Sequence, residues 1–313
     1  MRSTAPVAAA LALVVLLFAA PGRAGPAALL AADDLSAAAR AELHRQVLGA
    51  RAADPIHFER LAEARRAVMT LDARKRGPLA PVAPLLKTMG PGALLPMLER
   101  VALAAPARGS LSRSAWRAWR LGLIEAVGAL RDRRAEPVLL ALFEAKLGDP
   151  QLDRAAAVAY AKLGTPPVAR RLIRAARGDS GERRRALGAL GHCRRQTAAT
   201  FLARQLAGRP SEAEVLVLAR ALGNVGSAWA WRTPVIAASG QESVVRRTAV
   251  QALVKAYATQ SSAARKTIAK AVLVVDHADT LALIRAERQT APPASRPALD
   301  ELRRRFARSP LRR

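Results

Sequence analysis

The side chains best suited to metal binding or nucleophilic catalysis are sparse in this sequence. The four histidines are His44, His57, His192 and His277, and the single cysteine is Cys193. His192 and Cys193 are adjacent, but neighbouring residues on a helix point about 100° apart. None of these residues has the spacing of a tetrahedral zinc site. The sequence therefore predicts no metal site here, and favours a turn histidine beside a half-buried cysteine.

The acidic residues also lack a catalytic arrangement. No pair of carboxylates resembles that of a glycosidase, no serine lies in a Gly-x-Ser-x-Gly elbow, and no glycine-rich loop has the Walker form. Six carboxylates precede or begin predicted helices, where they cap the backbone. These are Asp149, Asp179, Glu182, Glu212, Glu214 and Glu242. We therefore predict no catalytic residue, no cofactor and no enzyme activity.

Basic residues dominate the charged composition. The chain has 51 Lys and Arg against 24 Asp and Glu, a net charge of +27. Such a charge attracts polyanions. Only seven of the basic residues are lysines, and an excess of arginine, alanine and glycine is also what a GC-rich genome encodes by default. Both interpretations of the charge stay open.

One arginine cluster is the first candidate for partner binding. Its members are Arg170, Arg171, Arg174 and Arg177, on a segment predicted as a helix. Arg170, Arg174 and Arg177 share one face at helical spacing. This face either binds an anionic or acidic partner or is simply solvated.

Two tryptophans form the second candidate for partner binding. Trp229 and Trp231 follow Gly226 in a predicted turn. Exposed tryptophans at such a position serve as a stacking platform or a partner anchor, as they do in interface hot spots. The alternative is that they cover the end of the hydrophobic core.

A short phrase recurs along the middle of the chain and indicates how these residues are positioned. It is clearest as Ala-Leu-Gly-Ala-Leu-Gly at 186–191, and its fifth positions lie at 130, 163, 190, 225 and 256. The spacings of 33, 27, 35 and 31 suit stacked helix pairs. Each unit is predicted as a capped first helix, a short turn at the phrase and a second helix, and the small residues let backbones approach closely. Second helices are predicted at 136–146, 167–177, 197–207 and 233–239, and no segment alternates like a strand.

The phrases resemble the HEAT-repeat superfamily, particularly the short HEAT-like repeats of phycobilisome-lyase-type proteins. The lead-ins Arg184-Arg185-Ala186 and Arg154-Ala155-Ala156 add to the resemblance. It implies an all-α, right-handed α-solenoid of stacked antiparallel helix pairs. It also implies that second helices line the concave surface, where the cluster at 170–177 would face a partner.

The N-terminus has the pattern of an export signal. Arg2 precedes an apolar run over 7–20, and Gly22-Arg23-Ala24 provides small residues for cleavage. The run is shorter than the roughly 20 residues that span a bilayer, so we predict no lasting transmembrane anchor. The alternatives are an uncleaved anchor and an alanine-rich start that is not a signal. Loss of Arg2 and Arg23 leaves 49 basic and 24 acidic residues, a net charge of +25.

The predicted organisation has four parts. Residues 1–24 are the signal peptide, 25–109 an N-terminal helical cap or divergent repeats, and 110–289 the HEAT-like array. Residues 290–313 are a linker, a terminal basic helix and a tail. The mature protein is predicted to be a periplasmic or secreted monomer.

These observations lead to an exported, non-enzymatic HEAT-repeat scaffold or adaptor. Its groove would bind a protein or an anionic cell-envelope polymer. One alternative is a nucleic-acid-binding protein similar to the HEAT-like alkylpurine DNA glycosylases, although the export signal argues against nucleic acid as a partner. A further alternative, suggested by the repeat family alone, is a bilin lyase.

Overall fold

The computed structural model describes residues 29–104 and 107–309, so the predicted signal peptide lies outside the described residues. The described chain is all-α and contains no strand. No helix in these two ranges is long and apolar enough to cross a membrane. The seventeen α-helices of the described ranges are α1 Ala37–Ala53, α2 Ile56–Ala73, α3 Val82–Lys87, α4 Leu94–Leu98, α5 Arg113–Leu130, α6 Glu136–Glu144, α7 Pro150–Lys162, α8 Pro166–Ala175, α9 Ser180–Leu190, α10 Gln196–Ala207, α11 Glu212–Val225, α12 Ala228–Trp231, α13 Pro234–Ala237, α14 Glu242–Thr259, α15 Ser262–Val275, α16 Thr280–Thr290 and α17 Arg296–Ala307.

Side-chain caps begin the helices at the predicted places. The Ser211 hydroxyl accepts a hydrogen bond from the Glu214 amide at 3.4 Å, as the capping pattern before α11 predicts. The Asp179 carboxylate accepts from the Gly181 and Glu182 amides at 2.9 and 2.8 Å at the start of α9. Each cap satisfies amides that have no partner inside the helix.

The helices that carry the first four phrases form one continuous layer. Helix α5 packs on α7, α7 on α9, and α9 on α11. A side chain on Gly128 would lie 2.5 Å from the Ala159 backbone, and one on Gly191 would lie 2.7 Å from the Ala221 carbonyl oxygen. The predicted close approach of small residues is therefore confirmed at these crossings, which only glycine permits.

The fifth phrase is not in this layer, contrary to the repeat alignment. Helix α14, which carries it, packs mainly beside the second helix α10, whereas α15 packs against α11. A side chain on Gly223 would lie 3.1 Å from the α-carbon of Ala271, on α15. The physical reason lies between α11 and α14, where α12 and α13 have only four residues each. With no full second helix there, α14 fills that position and α15 continues the first layer.

The second helices match the prediction except for the last one. Helices α6, α8 and α10 lie where the sequence predicts them, within two residues at each end. The helix predicted at 233–239 is the single turn of α13. The all-α fold of stacked helices is thus confirmed, while the right-handed twist and the domain boundaries stay predictions.

The predicted terminal helix is present as α17, and it closes the hydrophobic core. Leu299, Leu302 and Phe306 of α17 are buried, and α17 packs on α14, α15 and α16. At the other end, α1 to α4 pack together and against α5. The core therefore runs through the described chain without interruption.

Candidate functional site

A groove runs across the solvent side of α7, α9 and α11. Its volume is about 1000 Å³, the upper end of the range of ligand pockets. Arg154 and Val158 line it from α7, Arg185 from α9, and Arg220 from α11. The first helices line this groove, whereas the family resemblance implies that second helices provide the binding surface.

On each of the three helices, the residue just before the repeated phrase lines the groove. Val158, Arg185 and Arg220 each immediately precede the first alanine of their phrase. Asn224 lies four residues after Arg220, on the same helical face, and also lines the groove. The repeat therefore places one stripe of side chains along the groove.

Three arginines of the groove are free to meet a ligand. Arg154, Arg184 and Arg220 are exposed, and within the described parts of the chain none of them has an ion pair or side-chain hydrogen bond. Arg185 is different, because its guanidinium lies 5.0 Å from the Phe143 ring centroid and its buried Nε has no described partner. An unpaired buried donor costs about 1–3 kcal/mol, so Arg185 gains from an acceptor in the groove.

Most of the carboxylates at the groove already have structural partners. Asp179 caps α9, and Asp153 accepts a hydrogen bond from the Leu147 amide at 3.0 Å. Glu144 forms an ion pair with Arg171. Of the acidic lining residues only Glu182 has a carboxylate without a hydrogen bond or ion pair among the described residues. Lys146 and four arginines line the groove against four carboxylates, so its net charge is weakly positive.

Four cationic or titratable residues form a cluster at the end of this groove. We define the cation cluster as Arg131, Lys162, His192 and Arg194. It lies at the carboxyl ends of α5, α7 and α9, where the helix dipole favours positive charge. Arg131 donates to the Lys162 carbonyl oxygen, and Arg194 Nη1 donates to the His192 carbonyl oxygen at 3.1 Å. His192 lines the groove and connects it to the cluster.

Burial controls the protonation of this cluster. Burial, with Arg194, Lys162 and Arg131 nearby, lowers the pKa of His192 to about 3. The imidazole is therefore neutral at pH 7, and its Nε2 lies 3.5 Å from Asn224 Nδ2. Burial and the charges of Lys87 and Arg131 lower the pKa of Lys162 to about 8. Part of the Lys162 amine is consequently unprotonated in mildly alkaline solution.

Cys193 has no reactive role in this site. The thiol is buried, and burial raises its pKa to about 12. The nucleophilic thiolate is therefore scarce at neutral pH. Among the described residues, no group of three or more His, Cys, Asp or Glu side chains is placed to hold a metal ion.

The predicted arginine cluster lies on another surface. Arg170 and Arg174 are exposed on α8, and Arg177 is exposed just after that helix. Arg171 is half-buried and paired with Glu144. Through Glu144 the cluster touches the edge of the groove, but none of its four arginines lines it.

The two predicted tryptophans have different environments. The side chain of Trp229 is 75% exposed, with the Arg232 guanidinium 4.7 Å from its ring centroid. Trp231 is only 1% exposed, and its indole N–H donates to the Val225 carbonyl oxygen at 2.9 Å. Trp231 therefore belongs to the core, and only Trp229 can meet a partner at this surface.

Comparison with known proteins finds a likeness to a solved structure but no family. No family model matches the chain, and no curated protein matches it. Among solved structures, human deoxyhypusine hydroxylase in complex with glycerol aligns over 82% of this chain and 99% of its own, at 16% identity and a TM-score of 0.30.

This comparison corrects two predictions from the sequence. The matched protein is an enzyme, which contradicts the prediction that the chain is non-enzymatic and the prediction of an exported scaffold or adaptor. We therefore do not retain either. The low identity and TM-score transfer no reaction, substrate or site residue to this chain.

Sequence reasoning missed Arg154 and Arg220 as site residues. The signal was present, because Arg185 and Arg220 occupy the same position before the phrase. A comparison of that position across the repeats identifies the stripe. The predicted cluster consists of arginines close together in sequence. Residues that share one face of several stacked helices are instead a whole repeat apart in sequence.

Proposed function

We propose that this protein is a HEAT-like, right-handed α-solenoid whose first-helix groove binds an extended acidic polypeptide segment. The observation that carries the proposal is the set of unpaired arginines Arg154, Arg184 and Arg220, one or more from each helix of the groove. Grooves of this kind recognise ligands in enzymes and in binding proteins alike.

The mixed lining of the groove favours a polypeptide over a uniformly charged polymer. Val158, Val217 and Ala221 provide apolar contacts between the arginines, which suit a chain that alternates acidic and apolar side chains. The unpartnered Glu182 carboxylate would repel a polyanion that has a charge on every unit. Backbone amides of a peptide can also bond to Asn224 and to other polar groups of the lining.

The lining also argues against single-stranded nucleic acid. Proteins that bind it combine a basic groove with aromatic side chains on which bases stack. The described groove lining contains no Phe, Tyr or Trp. Exposed Trp229 is not among the lining residues.

A charge-reversal experiment tests the proposal. The groove variant changes Arg154, Arg184 and Arg220 to Glu, and the control variant changes Arg170, Arg174 and Arg177 to Glu. The probe is a fluorescent peptide of alternating glutamate and leucine, measured by anisotropy. Each exposed ion pair contributes up to about 1 kcal/mol, so we expect the groove variant to bind at least about tenfold more weakly. The control variant should keep most of its affinity.

Competing probes define the result that would overturn the proposal. They are the same peptide with glutamine in place of glutamate, a polyphosphate and a single-stranded oligonucleotide. Equal weakening in both variants would show attraction by net charge only. Polyphosphate or the oligonucleotide could bind more tightly than the peptide and lose affinity in the groove variant. That ligand would then take the place of the acidic peptide in the proposal. If the glutamine peptide bound as tightly as the glutamate peptide, the groove arginines would have no role in recognition.

A further inference from the structure

A second cavity lies near the other end of the molecule, away from the helices that form the groove. It is bounded by α2, the segment before α5, and α5 itself, and its volume is about 440 Å³. Leu61, Leu111 and Trp119 lie behind its wall as buried core residues, and Met69, 42% exposed, is its accessible apolar side chain. The volume lies within the range of sites for small molecules.

The charged residues of this cavity are all cationic, and Ser110 is its neutral polar residue. Arg65, Arg66, Arg100 and Arg108 line it, and no Asp or Glu is among its described lining residues. Arg66 and Arg108 are exposed, whereas Arg65 and Arg100 are half-buried. An anion in the cavity would therefore meet two half-buried guanidinium groups.

Arg65 has an unused donor. Its Nη2 donates to the Ala107 carbonyl oxygen at 2.7 Å, which holds the loop over the cavity. Its Nε is buried and has no hydrogen-bond partner among the described residues. Burial, with the positive charge of Arg100, lowers the pKa of Arg65. The two guanidinium groups therefore repel each other in partly desolvated surroundings.

The neighbouring carboxylate does not neutralise this pair. Glu99 accepts two hydrogen bonds from Arg51 Nη2, at 2.7 and 2.8 Å. Arg100 Nε lies 4.0 Å from Glu99, and Arg100 Nη1 donates weakly to the Ala104 carbonyl oxygen at 3.4 Å. Arg100 thus keeps donor capacity for a ligand in the cavity.

We propose that this cavity binds a medium-chain fatty acid as its carboxylate. The carboxylate would lie between Arg65 and Arg100, where guanidinium groups recognise it by paired, charge-assisted hydrogen bonds. The acyl chain would cover the exposed side chain of Met69. Inorganic phosphate would leave Met69 exposed, and an uncharged alcohol would leave the arginines unpaired.

Calorimetry with decanoate tests this proposal on the full chain, below the micellar concentration of the ligand. The test variant Arg100→Gln removes one guanidinium, and its matched control Arg74→Gln removes an exposed charge at the end of α2. We expect saturable binding with one site per chain, at least about tenfold weaker in Arg100→Gln and unchanged in Arg74→Gln. Decanol and phosphate should bind more weakly than decanoate.

A second pair of variants tests the cavity without changing its charge. Ala62→Phe, on the lining, should fill the space and abolish binding, whereas Ala67→Phe, exposed on the same helix, should not. Three results would each overturn the proposal. They are the absence of saturable binding, an affinity for decanoate in Arg100→Gln or Ala62→Phe equal to that of the parent protein, and an affinity for decanol or phosphate equal to that for decanoate. The groove variant should still bind decanoate, so the two proposed sites can fail independently.

Discussion

At the scale of single residues, arginines stabilise the ends of neighbouring helices. Arg246 Nη2 donates to the carbonyl oxygens of Val275 and Asp276 at 3.0 and 2.6 Å. Arg265 Nε donates to the Tyr257 carbonyl oxygen at 3.1 Å. One guanidinium can serve two acceptors, which a lysine ammonium does with less geometric specificity. Part of the arginine excess therefore has a structural role, an interpretation that the composition alone did not suggest.

His192 should make the fold sensitive to acid. Its pKa is about 3 in the fold against an ordinary value near 6.5, so the unfolded chain binds more protons between these values. Its contribution to stability is complete above about pH 6.5 and is lost toward pH 3, by up to about 1.4 kcal/mol per pH unit. Urea unfolding of the His192→Gln variant should show a weaker pH dependence over this interval.

The exposed His44 provides the control for this measurement. His44→Gln should keep the acid sensitivity of the parent protein. The pKa of His277 is also lowered by burial, but this residue is present in every variant and cancels in the comparison. Parallel pH profiles for His192→Gln and the parent would contradict the prediction.

At the scale of elements, a glycine of the first-helix layer has a packing role only where its helix crosses a neighbouring helix closely. Gly128 lies against the Ala159 backbone, whereas a side chain on Gly188 would meet no atom within 4 Å. Both glycines lie within helices, α5 and α9. The same residue type therefore has a packing role in one helix and none in the other.

The change from glycine to alanine should have opposite effects on protein stability at Gly128 and at Gly188. Gly128→Ala places a methyl group 2.5 Å from backbone atoms, so α5 and α7 must separate, and we expect a loss of at least about 2 kcal/mol. Gly188→Ala adds a methyl group in open space and should stabilise the protein by about 0.5–1 kcal/mol. Chemical denaturation of both variants measures this difference. Similar changes in both would show that the α5–α7 crossing is not tightly packed.

At the scale of the whole molecule, the net charge of +27 gives long-range attraction to any polyanion. This attraction depends on total charge and is screened by salt. Recognition in the groove depends instead on where three arginines lie. The two contributions can be separated because the control variant changes the same number of exposed arginines, Arg170, Arg174 and Arg177.

Retention on heparin should therefore not distinguish the two charge-reversal variants. Both change three arginines to glutamates, so both should elute at a similarly reduced salt concentration. Only the groove variant should lose affinity for the acidic peptide. A groove variant that elutes from heparin much earlier than the control would show that the groove itself binds the polyanion.

Some features follow from the sequence by itself because their causes are local. The all-α class, the starts of α9 and α11, and second helices α6, α8 and α10 depend on capping residues and helical periodicity within a few turns. The small residues of the phrase also indicate close helix crossings. The apolar spacing of α17 predicts its buried face in the same way.

Only the tertiary structure decided which surfaces are available for binding. The layer that α14 enters depends on the shortness of α12 and α13. The burial of Trp231 and the exposure of Trp229 depend on how the short helix α12 packs, although the two residues are only two positions apart in sequence. The groove combines Arg154, Arg184 and Arg220 from three helices. Contacts between residues a whole repeat apart determine these features, and local periodicity contains no information about such contacts.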